Sequence, residues 1–257
     1  MSKKKNSKVS KLHPLITIIT VVKNDKKNIL KTIKSVLNQS LYGFEYIIVD
    51  GNSTDGTLDI LKKNKKKIDL LISKKDKNLW EAMNKGILQS KGEIIGIINS
   101  GDVYYKNTLQ IVSKYFKNKK KLDFLFGPVK KDRILFKFEP EKISYRFNIY
   151  PSHSTGFFIR RNVHKKIGLY DTKLNFGADY DMIYKLLKNK KLKGMIAKKN
   201  EVFGKFDLHG YSSEIPFYKS YYYESKIRYK NGQNILFVII LYFLRILNKF
   251  RNILLSK

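Results

Sequence analysis

Apolar runs alternate with stretches of helical spacing through the first half of the chain. Residues 15–22 (LITIITVV) read as a strand with no polar face, and residues 27–37 bring Ile29, Leu30, Ile33 and Leu37 to one side of a helix. The alternation continues with a strand at 44–49 (FEYIIV), a helix at 57–63, a strand at 68–72 and a helix at 79–89. A strand at 93–98 (EIIGII) and a helix at 109–116 complete it. Apolar strands separated by helices predict an α/β fold, a mostly parallel central sheet with helices on both faces and right-handed crossovers. Past residue 120 the pattern loosens. Short strands are predicted at 122–126, 134–138, 156–160, 193–197 and 201–206, with a helix over 180–187. No Pro/Gly-rich linker separates this α+β half from the first. From Phe217 onward the chain turns aromatic, basic and apolar, and residues 235–255 read as a helix.

The length of 257 residues fits one large domain with an appendage, and 42 % hydrophobic content supports a real core. Lys and Arg number 53 against 21 Asp and Glu, a net charge of +32. Such an excess favours anionic partners, either phosphorylated small molecules, acidic lipid head groups or nucleic acid, although lysine runs are also ordinary solvated faces. With no cysteine, disulfides, thiolate zinc sites and cysteine nucleophiles are excluded, and a reducing cytoplasm is compatible. Residues 1–12 carry five lysines but are followed by no signal-type apolar core. The apolar stretch 235–247 is interrupted by Arg245 and falls short of the roughly 20 residues that span a bilayer. Three segments follow: a basic extension at 1–13, the α/β domain at 14–212, and a basic amphipathic helical tail at 213–257.

Open α/β sheets bind ligands at the carboxyl ends of their strands, so polar residues there carry the chemistry. The second strand ends in Asp50-Gly51-Asn52-Ser53-Thr54-Asp55-Gly56-Thr57. Ser53, Thr54 or Asp55 can cap the next helix, but capping does not need Asp50, which can accept hydrogen bonds from a nucleobase or ribose. The fourth strand ends in Asn99-Ser100-Gly101-Asp102 on the same edge. Were a nucleoside diphosphate to lie there, a divalent metal would join Asp102 to its phosphates, while a plain turn Asp is the alternative. Asp76 precedes a helix start, so capping competes with binding.

Taken in order, ITVV with Lys23-Asn24, then VDGNSTDGT, DKNLWEAMNKG and GEIIGIINSGD resemble the inverting family-2 nucleotide-sugar glycosyltransferases, which share a GT-A Rossmann-like domain. The likeness runs from about residue 14 to 206, and VDGNSTDGT and the AMNKG helix are its most specific parts. It implies that Val22, Asn24, Asp50, Asn52, Asp76, Asn84, Lys85, Ser100 and Gly101 bind the nucleotide-sugar, with Asp50 and Asp76 against base and ribose. Asp102 matches the last acid of the family's Asp-x-Asp motif and is implied to hold Mn²⁺ or Mg²⁺. Ser100 stands where that motif begins, leaving one carboxylate, and Trp80 sits where relatives often have Tyr. Gly177-Ala178-Asp179-Tyr180-Asp181 is similar to the family's acidic pair at a helix start. Asp179 matches the catalytic base and Ala178 replaces the acid before it. A helix-capping role for Asp179 is the alternative, and Asp181 is a secondary candidate. His153, in PSHSTG, resembles a position near the acceptor. His209 lies where relatives often have Gly-Gly-x-Ser, a loop that can approach the pyrophosphate.

The resemblance implies an inverting hexosyltransferase-like enzyme, with a UDP-sugar favoured as donor and a saccharide or lipid-linked acceptor. Cell-surface polysaccharide or lipopolysaccharide synthesis is the implied setting. A non-catalytic nucleotide-sugar-binding relative is the first alternative and a basic nucleic-acid-binding protein the second. A nicotinamide-dependent oxidoreductase is excluded because Val22-Lys23-Asn24-Asp25 replaces the glycine fingerprint after the first strand. Nucleic acid is not expected as a partner, since the strands offer no exposed base-stacking face. In the tail, Arg245, Lys249 and Arg251 are spaced for one helical face, which predicts peripheral contact with the inner face of the cell membrane. Packing on the core, or a homodimer, is the alternative.

Overall fold

A strand with no polar face must be covered on both sides, and the apolar runs of the first half therefore pair with one another. The computed structural model describes residues 14–146, 148–207 and 215–255. Its main sheet contains β1 (Ile16–Val22), β2 (Glu45–Asp50), β3 (Leu70–Ser73), β4 (Ile94–Asn99), β6 (Phe124–Phe126), β9 (Phe157–Arg160) and β10 (Gly194–Ile196). The strand order is β3-β2-β1-β4-β9-β6-β10. β3, β2, β1 and β4 are parallel, as are β6 and β10, whereas β9 runs antiparallel to β4 and β6. A smaller sheet joins β5 (Val103–Tyr104), β11 (Gly204–Lys205), β7 (Val129–Lys130) and β8 (Ile134–Leu135) in that order.

Because side chains alternate along a strand, β1 serves two cores at once. Ile19 and Val21 join one cluster, with Met83 and Ile87 of α3 (Leu79–Gln89) and Tyr180 and Met182 of α6 (Ala178–Lys188). Ile16 and Ile18 join the other, with Ile29 and Ile33 of α1 (Ile29–Leu37) and Leu109 and Val112 of α4 (Thr108–Asn118). The short α2 (Thr57–Lys63) and α5 (Val163–Ile167) complete the domain. The predicted parallel sheet between two helical layers is thus observed. The expected strands at 134–138 and 201–206 reduce to Ile134–Leu135 and Gly204–Lys205. β5, β7 and α5 escape the sequence pattern because two to five residues are too few to display a period.

The chain leaves β1 toward β2 and β3, then returns to place β4 on the other side of β1. Strand order therefore reverses between β1 and β4, opening a crevice at their carboxyl ends.

The predicted tail forms two helices, α7 (Phe217–Lys230) and α8 (Ile235–Leu254). Ile227 of α7 is part of the core beneath α6, and Arg228 is 2 % exposed, so α7 is built into the domain. The expectation for Arg245 is corrected. It does not face outward with Arg251 but turns inward to pair with Glu224 of α7 at 2.5 Å, because that buried carboxylate needs a cation. No described helix is long and apolar enough to cross a membrane. The expected extension at 1–13 lies outside the described residues.

Candidate active site

Parallel pairing sets Val22 opposite Asp50 and Val21 opposite Asn99, so three strand ends share one edge. The loops leaving that edge hold one another in place. Asn24 (φ 50°) and Asn52 (φ 62°) both adopt the left-handed conformation that Asn tolerates. The Asn24 side chain accepts from the Thr54 amide at 2.9 Å, and the Asn24 amide donates to Ser53 Oγ at 2.8 Å. Asp50 is fully buried: Ser53 Oγ donates to one carboxylate oxygen at 2.5 Å and Ser73 Oγ to the other at 2.7 Å. Asp50 therefore acts on its surroundings through the loop it ties down.

Asn78, not Asp76, caps α3, accepting from the Glu81 amide at 3.1 Å. Asp76 instead receives Lys85 Nζ at 2.5 Å, and its Oδ2 is a buried acceptor with no hydrogen-bond partner. Asn84 commits both polar atoms to the Tyr170 backbone, at 2.8 and 3.0 Å. Trp80 stacks on the same Tyr170, with ring centroids 5.7 Å apart. This pair of residues positions the loop ahead of α6.

At the end of β4, Ser100 Oγ donates to Asp25 Oδ2 at 2.6 Å. Gly101 turns at φ 95°, a value that favours glycine, and a Cβ there would lie 3.2 Å from Asp207. The turn buries Asp102, which accepts from Thr155 Oγ1 at 2.6 Å and from the Asp207 amide at 2.9 Å. Burial pushes the Asp102 pKa up to about 6, with neighbouring Asp207 adding to the rise and both hydrogen bonds opposing it. His153 stacks on Phe206 at 4.1 Å, and burial together with the Lys131 charge lowers its pKa to about 4. The ring is neutral at pH 7. Its Nδ1 lies 2.9 Å from Thr155 Oγ1, 3.3 Å from the Thr155 amide and 3.7 Å from Asp102 Oδ2, so an uncharged ring stands beside the carboxylate rather than an ion partner.

Among the described residues no three His, Asp or Glu side chains converge as a metal cage. Asp102 with His153 nevertheless fits a divalent cation that draws its other ligands from diphosphate and water, since such ions accept one or two protein ligands alongside substrate phosphates. Among the described residues no lysine or arginine pairs with Asp102, and a buried carboxylate in that setting is the group such an ion relieves.

Across the domain, α6 starts after Gly177 (φ 81°), and no side chain caps it. Asp179 is partly exposed in its first turn, accepting from the Tyr180 amide at 2.9 Å and from the Tyr150 hydroxyl. Burial raises its pKa above the usual carboxylate range, against the opposing pull of these hydrogen bonds. Tyr150 also lines a cavity of about 290 Å³ with Asn148, Tyr221, Glu224, Arg245 and Asn248. Asp181 does not share this setting. It is 1 % exposed and engaged by Lys185 at 2.5 Å and Asn231 at 2.7 Å, because two residues along a helix rotate the side chain by about 200°. His209 lies outside the described residues. Asp25, Thr155 and Asp207, which sequence reasoning passes over, touch the expected site residues directly. Asp25 and Thr155 adjoin motifs already singled out, whereas only folding brings Asp207 to Asp102.

Among known proteins, residues 17–173 match the model of glycosyl transferase family 2. The uncharacterized glycosyltransferase MJ1057 of Methanocaldococcus jannaschii is 28 % identical over 193 residues, 68 % of this chain and 66 % of the relative. The putative teichuronic acid biosynthesis glycosyltransferase TuaG of Bacillus subtilis is 35 % identical over 100 residues, 38 % of this chain and 40 % of its own. These matches cover two thirds of the relatives' lengths or less. Among solved structures, S. aureus TarS 1–349 with UDP-GlcNAc gives a TM-score of 0.66 at 18 % identity, over 88 % of this chain and 70 % of that one. The mannosyltransferase PcManGT of Pyrobaculum calidifontis with GDP-Man and Mn²⁺ gives 0.63 at 16 % identity, over 86 % and 65 %. The fold is thus that of the GT-A enzymes.

Proposed function

The chain belongs to glycosyl transferase family 2, and from that membership we propose that it transfers a sugar, with inversion, from a nucleotide-diphosphate sugar to a hydroxyl of a saccharide or lipid-linked acceptor. One arrangement carries this reading. Asp102 lies buried at the end of β4, beside the strand-order reversal, and Asp179 stands in the first turn of α6 with a pKa raised by burial. A UDP-sugar is the favoured donor, supported by the UDP-GlcNAc bound to the similarly folded TarS. Cell-surface polysaccharide synthesis is the favoured setting, supported by the name of TuaG.

In this mechanism the loops of Asn24, Asn52 and Asp50 frame the nucleoside, and the unpartnered, buried oxygen of Asp76 is an acceptor for it once the loop admits the ligand. Asp179 takes the proton of the acceptor hydroxyl as its oxygen bonds to the anomeric carbon, and the bond from that carbon to the diphosphate breaks. The lifted basicity of Asp179 suits it to that proton. A divalent cation, when bound, would be held by Asp102 and His153 and would offset the charge of the departing diphosphate.

Thermal shift against a panel of nucleotide-sugars, with and without Mn²⁺, tests the proposal. A UDP-sugar should raise the melting temperature, and more so with Mn²⁺. A flat response across the panel would sink it.

A further inference from the structure

α8 exposes an apolar half-cylinder. Leu236, Ile240, Phe243, Leu244, Leu247 and Leu254 are 47 to 73 % exposed. At about 100° per residue these six fall within roughly 100° of one another. Ile235, Ile239 and Phe250, also exposed, widen the arc to about 180°. Arg251 is the one charged side chain on that arc. The inward stripe is narrow by comparison, consisting of Val238, Leu241 and Arg245. Exposed apolar patches of this kind mark an interaction surface.

We propose that this face lies in the head-group layer of an anionic phospholipid surface, with the helix axis in the plane of the membrane. Two observations favour lipid over a second copy of the chain. First, a helix–helix seam covers a narrow stripe of a and d positions, whereas an apolar arc spanning half the circumference suits immersion in a fluid layer. Second, no Asp or Glu occurs at residues 225–257, and the whole chain carries +32. A surface so charged is drawn to anionic head groups, and two copies of it repel. Lys249 lies 5.8 Å over the Phe217 ring, at the margin of the inward stripe, where a head group can reach it. On the neighbouring α7, Tyr218, Tyr222 and Tyr229 are exposed at helical spacing, and such amphipathic rings favour the membrane–water boundary.

Flotation of the full chain with phosphatidylcholine vesicles, with and without phosphatidylglycerol, tests this. The chain should float with the anionic vesicles. The double variant Phe243→Glu, Leu247→Glu should lose roughly tenfold or more in partitioning while its melting temperature is unchanged. Should the double variant melt low, Leu254→Glu, at the far end of the helix, is expected to show a loss in the same direction. Wild type that fails to float, variants that float as well as wild type, or equal binding to neutral vesicles would each overturn the proposal. So would a dimer in sedimentation that the double variant dissociates with no vesicle binding by wild type. Flotation uses no donor, so its outcome is independent of the transfer chemistry.

Discussion

Asp179 titrates in the unfolded chain near the ordinary value of about 3.9 and in the folded chain above it, because burial penalises its charged form. The folded state therefore holds more protons between those two values. The stability this confers is complete below the unfolded pKa and lost as pH rises through the folded one. Asp179→Asn should consequently melt at or above the wild-type temperature at pH 7, with the difference fading toward pH ~4, as calorimetry across that range will show. The acid limb of kcat/KM should likewise lie above the usual carboxylate range. Asp102 differs in role. Asp102→Ala should abolish Mn²⁺-dependent binding of UDP in titration calorimetry without unfolding the protein, and unchanged affinity would remove it from the metal site. Asp50 shows what a sequence leaves open: its place at a strand end is legible, but its two serine partners lie 3 and 23 residues away.

A buried guanidinium ties helix α7 to the segment 143–146 and to α6. Arg228 donates to the Tyr180 hydroxyl at 2.7 Å and to the carbonyls of Ile143, Ser144 and Arg146 at 2.5 to 3.3 Å. Arg228→Ala should cost about 3 kcal/mol or more in urea unfolding, because a charged donor is lost and several carbonyls are left bare. Arg228→Lys should restore little, since a point charge cannot replace the fork. The Asn84 amide plays a smaller part of the same kind, and Asn84→Ala should cost about 1–3 kcal/mol by loosening the Tyr170 backbone. The composition change at Phe217 announces the tail, yet nothing in the spacing of α7 reveals that Arg228 is its anchor. Arg245 illustrates the same limit, since periodicity gives its angle on the helix but not which side Glu224 will occupy.

For the molecule as a whole, strands with no polar face and regular alternation with helices sufficed to foresee the parallel sheet and the edge that carries the polar loops. The second half was less legible, because its strands of two to four residues are defined by partners far along the chain, as with β11 between β5 and β7. The same long-range closure brings Thr155 and Asp207 to Asp102, and Tyr150 to Asp179. It surrounds each of the two candidate carboxylates with partners from distant parts of the chain. The most direct test is donor affinity and sugar transfer measured side by side in Asp179→Asn and Asp181→Asn. Asp179→Asn should bind the donor as wild type does and lose transfer by roughly 10²–10⁴-fold, while Asp181→Asn retains turnover. Full transfer by Asp179→Asn, with the loss falling on Asp181→Asn instead, would contradict the assignment.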